Sequence, residues 1–127
     1  MKIRLRGNSV RVRVTKTELA DFGSRGSVTD RVCFDGDSEL IYRLAVDDRA
    51  REPHADFTGR TITVRLPRSM ADEWVNSDQV SLRSEQGIAG GEQLRILVEK
   101  DFECLAPRED EDDSDAFPHP QAGQETC

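Results

Sequence analysis

Apolar and charged positions alternate through the first fifteen residues. Lys2-Ile3-Arg4-Leu5-Arg6 and Val10-Arg11-Val12-Arg13-Val14 each repeat with a period of two, and Gly7-Asn8-Ser9 breaks the pattern between them. Two such runs joined by a short Gly-Asn connection predict a β-hairpin. Ile3, Leu5, Val10, Val12 and Val14 then face a core, and Lys2, Arg4, Arg6, Arg11 and Arg13 take the other face. Thr15 followed three residues later by Glu18 has capping-box spacing, so a short helix comes next, with Gly23 set to end it. Ser27 to Phe34 and Leu40 to Val46 predict two strands around an Asp35-Gly36-Asp37 turn, with Leu40, Tyr42, Leu44 and Val46 on one face.

The pattern then returns. Thr61-Ile62-Thr63-Val64-Arg65-Leu66 alternates, Pro67 takes the first helical position, and a short helix carries Met70 and Trp74. Val80 and Leu82 mark the next strand, and Leu94, Ile96 and Val98 the inward side of the last. Val10 pairs with Ile62, Phe22 with Trp74, Arg31 with Arg83, Arg43 with Arg95 and Val46 with Val98, always 52 residues apart. A fixed period of matching residue types predicts two copies of one unit. The expected fold is α+β: an internally duplicated β-α-β-β unit, copies 1–46 and 60–99, closing one small barrel or sandwich. Residues 47–59 read as a polar connection, and 1–105 as a single domain.

Charge sets this domain apart from the C-terminal segment. The 127-residue chain has a formal charge of −7, yet Met1 to Lys16 holds six cations and no acid, while Ala106 to Cys127 holds seven acids against Arg108 alone. Glu109, Asp110, Glu111, Asp112, Asp113 and Asp115 form a like-charge block between prolines. Such a segment buries too little apolar surface to offset its ordering entropy, so 106–127 is expected to be a disordered acidic tail. Cys33, Cys104 and Cys127 form no C-x-x-C pair and there is no apolar leader, which points to a reducing cytoplasm. No apolar run approaches the ~20 residues of a membrane span.

The hairpin also resembles a known group. Arg6-Gly7-Asn8-Ser9-Val10-Arg11-Val12-Arg13-Val14, leading into a short helix and a Gly-x-Val strand, is similar to the swapped-hairpin DNA-binding domains of MazE-type antitoxins and AbrB-type regulators. Leu66-Pro67 and Asp78-Gln79-Val80 supply further pieces of their pattern. The chain departs from it at Arg6, where an aromatic is usual, in the first copy's missing proline, and in the second copy's missing Gly-Asn-Ser. Those domains are dimeric, so the resemblance implies a fused pseudo-dimer that binds DNA, with an acidic tail of the kind that holds a basic toxin. The chain further resembles short bacterial proteins that open near MKIR-x-x-GNS and end in EKDF-x-C plus an acidic tail, a group that supplies no activity.

The basic hairpin face is the sharpest chemical signal. Like charges opposite one another destabilise a sheet, so these cations need anions nearby. Lys2, Arg4, Arg6, Arg11 and Arg13 are candidate phosphate contacts for double-stranded DNA, and Asn8 at the turn a candidate for a base edge. The competing reading is a solvated face neutralised by acids of the second copy or by the tail. Glu109, Asp110, Glu111, Asp112, Asp113 and Asp115, with Phe117 as anchor, are the candidate contacts for a basic protein partner, or a mimic of nucleic acid on the hairpin face. A protein-interaction adaptor working through that tail, without nucleic acid, is the alternative function. No metal or cofactor site is expected, because His54, His119 and the cysteines have no ligand spacing. No nucleophile elbow, acid–base pair or phosphate-cradling glycine loop assembles, which points away from an enzyme. Trp74 and Phe22 read as core anchors.

Overall fold

The computed structural model describes residues 1–101. In chain order the elements are β1 (Lys2–Leu5), β2 (Ser9–Val14), α1 (Lys16–Arg25), β3 (Ser27–Asp35), β4 (Ser38–Val46), β5 (His54–Thr58), β6 (Thr61–Leu66), α2 (Arg68–Asn76), β7 (Ser81–Gly87) and β8 (Gln93–Lys100). The acidic block with Glu109, Asp110, Glu111, Asp112, Asp113, Asp115 and Phe117 lies outside the described residues.

The α+β architecture has two four-stranded sheets, ordered β1-β2-β8-β7 and β3-β4-β6-β5. Each combines one hairpin from the first half of the chain with one from the second, joined by a central parallel pair. Val10 stands opposite Ile96 in one pair, and Ile62 opposite Tyr42 in the other. Period-two patterning explains the burial. Val10, Val12 and Val14 of β2, Val64 and Leu66 of β6, Leu44 of β4 and Ile96 and Val98 of β8 are all buried in one cluster with residues of both helices. Leu5 departs from expectation. It sits at the end of edge strand β1 and is 57% exposed.

Explicit caps bound α1 at both ends. The Thr15 hydroxyl accepts from the Glu18 amide at 3.2 Å while the Glu18 carboxylate accepts from the Thr15 amide at 2.9 Å, closing the capping box. Gly23 does not end α1. The helix continues to Arg25 and stops at Gly26, whose φ of 85° is the left-handed conformation that favours glycine. Gly23 has another function: a Cβ there would stand 3.0 Å from Val75 Cγ1, so its missing side chain lets α1 and α2 approach. At that crossing Phe22 and Trp74 meet edge to face, with centroids 5.9 Å apart and planes at 69°. Pro67 is the N-cap of α2 rather than its first turn.

Two sequence expectations need correction. Residues 47–59 are not merely a connection, because β5 lies within them and pairs antiparallel with β6 from His54↔Arg65 to Thr58↔Thr61. Asp56 hides the strand character of this stretch, yet its carboxylate is held by Arg65 across the ladder at 2.8 Å. The constant spacing of 52 also breaks after the helices. Residues opposite Val10 and Ile62 are Ile96 and Tyr42, 54 apart, as are Lys100 and Val46 opposite Val14 and Leu66. The connection from α2 to β7 is longer than that from α1 to β3. Where Gly26 turns α1 directly into β3, α2 ends on extended Ser77 and reaches β7 through Asp78, Gln79 and Val80. Trp74 Nε1 donates to the Val80 carbonyl at 3.1 Å and pins that detour to the core.

Side chains link the sheet edges. Gln86 of β7 accepts from the Ala55 amide of β5 at 2.7 Å and donates to the Ala55 carbonyl at 2.9 Å, imitating a peptide group. Near the other edge the Met1 ammonium pairs with Glu18 and, at 3.7 Å, with Asp30 of β3, and the Tyr42 hydroxyl donates to the Met1 carbonyl at 3.2 Å. Among the described residues no helix is long and apolar enough to cross a membrane.

Candidate nucleic-acid interface

The outer face of sheet β1-β2-β8-β7 carries the expected hairpin cations and more. The buried valines of β2 turn Ser9, Arg11 and Arg13 outward. Cross-strand register then builds three rows. Lys2, Arg13, Glu99 and Ser81 form one, and Arg4, Arg11, Leu97 and Arg83 the next. In the third, Ser9, Arg95 and Glu85 stand together, with Arg6 just past the end of β1.

The first row is neutralised within the sheet. Glu99 Oε1 accepts from Arg13 Nε at 2.6 Å and from Arg11 Nε at 2.8 Å. Asp101 faces Lys2 at 3.6 Å and Arg13 at 3.9 Å. Burial pushes the Glu99 carboxyl up, but the hydrogen bonds and charges of Arg13 and Arg11 outweigh it and hold the group below the usual glutamate range. These acids come from the end of β8, the strand that runs parallel beside β2. Parallel pairing thus explains how neighbouring cations are tolerated on β1 and β2.

The other two rows surround an open cleft of about 690 Å³. Arg4, Arg6, Arg11, Arg83 and Arg95 line it, against only Glu52 and Glu85. Arg6, Arg83 and Arg95 make no ion pair with any of the described residues. Glu52 accepts from Ser84 at 3.2 Å. Val10, Ile96 and Leu97 also line the cleft, a low-dielectric border that strengthens the field of the guanidinium groups.

Of the residues proposed from sequence, Arg4, Arg6 and Arg11 meet at this cleft, whereas Lys2 and Arg13 stand one row away, paired with Asp101 and Glu99. Asn8 is engaged in the fold. Its Nδ2 donates to the Gln93 carbonyl at 2.7 Å and its own carbonyl accepts from the Arg95 amide at 3.0 Å, so it fastens the β1–β2 turn to the start of β8. The positive φ of that turn is at Gly7, 55°, not at Asn8. Arg83 and Arg95 were not singled out by sequence reasoning. Their alternation with Leu82, Leu94 and Ile96 marks them as outward, but only the β2–β8 pairing brings them beside the hairpin.

Among the described residues no group of three His, Cys, Asp or Glu side chains converges to hold a metal ion. No curated protein and no solved structure matches the chain. A family model described as "Family of unknown function (DUF7009)" matches residues 1–121, and the chain belongs to that family.

Proposed function

We propose that this protein is a non-enzymatic DNA-binding regulator that grips duplex phosphates with the arginine cleft on the outer face of β1-β2-β8-β7. The observation that carries the reading is the convergence of five arginines, one from each of the four strands and Arg6 from just past β1, on one open cleft. Guanidinium groups bind phosphates bidentately and release condensed counterions when they do so. Arg4 and Arg83 end the same cross-strand row, three strand spacings or about 14 Å apart, close to the ~12 Å width of a DNA major groove. No aromatic side chain stands on this face among the described residues, and single-strand binders rely on aromatic stacking, so duplex is favoured. With Asn8 engaged by Gln93, sequence preference is expected to be weak.

The same reading takes the chain as a fused pair of hairpin–helix–hairpin units closing one small barrel. The matching orders of elements support it, as do 52-residue spacing through the helices, 54-residue spacing in the strands opposite, and the Phe22–Trp74 contact. The exchange of hairpins between halves is what the resemblance to MazE- and AbrB-type domains leads one to expect. Anisotropy of labelled duplex DNA tests the site. Arg83→Ala/Arg95→Ala is expected to weaken binding by roughly tenfold or more. Unchanged affinity would contradict the cleft. Absence of binding at low salt by both the parent protein and a full-length chain with its acidic block neutralised would turn attention to the tail as an adaptor.

A further inference from the structure

We propose that the acidic block from Glu109 to Asp115 is an internal occupant of the arginine cleft, so that nucleic acid must displace it. This rests on the cleft being the nucleic-acid site, and adds regulation to it. Three observations lead there. Asp101, the last described residue, carries its carboxylate on the side of the basic face, where it pairs with Lys2 and Arg13. Acids of this same stretch, Glu99 and Asp101, supply the neutralisation of the first row, so the pairing of the last strand's acids with hairpin cations is established one row from the cleft. Finally, the cleft keeps Arg6, Arg83 and Arg95 without an ion pair among the described residues, and the next acids of the sequence arrive as a block.

Chain length allows the contact. Arg95 lies six residues back from Asp101, about 20 Å along the strand. The eight residues from Asp101 to Glu109 reach up to about 26 Å when extended. An occupant tethered this closely acts at an effective concentration on the order of millimolar, enough to hold off a polyanion of ordinary non-specific affinity.

The test uses the full-length chain and a full-length variant with Glu109→Gln, Asp110→Asn, Glu111→Gln, Asp112→Asn, Asp113→Asn and Asp115→Asn. Each is titrated into a fluorescent peptide of residues 106–127, and separately into labelled duplex DNA. The neutralised variant is expected to bind the peptide at least tenfold more tightly than the parent, and to lose it on adding Arg83→Ala/Arg95→Ala or salt. Equal peptide binding by parent and neutralised chains, or none by either, overturns the proposal. So does a difference that vanishes on dilution, which assigns the occupancy to a second copy. The DNA arm separates the two claims. Peptide binding that duplex DNA does not displace leaves the tail contact standing and contradicts the nucleic-acid reading. DNA binding of equal strength by both chains supports that reading and overturns the tail contact.

Discussion

Glu99 shows how one carboxylate makes a crowded basic face foldable. It accepts hydrogen bonds from Arg11 and Arg13, which without it are like charges two residues apart on one strand. Glu99→Gln is expected to lower stability in urea unfolding by about 1–2 kcal/mol, between the values for an exposed pair and a charged hydrogen bond. Its pH dependence has a definite sign. The folded carboxyl lies below the usual glutamate range, so its contribution is present above the unfolded value and disappears as pH falls through the folded one. The parent protein therefore loses more stability than Glu99→Gln on going from neutral pH to below the glutamate range, and unfolding curves across that range measure the difference. The same substitution raises the positive charge of the face, so it is expected to strengthen polyanion binding while weakening the fold. At this scale the sequence was informative about which residues are cations. It was silent about which are already paired, because Glu99 lies 86 residues from Arg13.

Local signals located most elements, since period two and capping chemistry are properties of neighbouring residues. The Thr15–Glu18 box and the β2 and β6 valines are where the pattern put them. One element and one residue's role escaped for physical reasons. β5 is short and carries His54 and Asp56, whose polar character conceals the strand, and Asp56 finds its partner, Arg65, only across the ladder. Gly23 resembles a helix stop, yet its value lies in the α1–α2 crossing, which no local pattern encodes. Gly23→Ala gains up to about 1 kcal/mol of helix propensity but meets Val75. In a Val75→Ala background that gain is expected in full, so a double-mutant cycle should give a coupling of about 1 kcal/mol. Additivity of the two substitutions would show that the helices accommodate the methyl without conflict. Gln86 is the corresponding device between sheets. Gln86→Ala leaves the Ala55 amide and carbonyl unpaired at a buried position, with an expected loss of about 2 kcal/mol and faster hydrogen exchange at Ala55. Exchange at the parent rate would mean that the edges do not depend on this clasp.

Across the whole molecule the decisive event is the parallel pairing of β2 with β8, which brings residues more than eighty positions apart onto one face. It delivers the acids that neutralise the first row of the hairpin and the arginines that complete the cleft, so the candidate site differs from the hairpin site that sequence alone suggests. Hydrophobic alternation allowed an α+β fold to be read, but strand order depends on contacts between halves. The most direct test of the account is duplex DNA anisotropy across a salt series, using the full-length tail-neutralised chain with and without Arg83→Ala/Arg95→Ala. The account predicts a linear fall of log affinity with log salt, and a slope shallower by roughly two when both arginines are removed. Binding that ignores salt, a slope that ignores Arg83 and Arg95, or no binding at the lowest salt would contradict it.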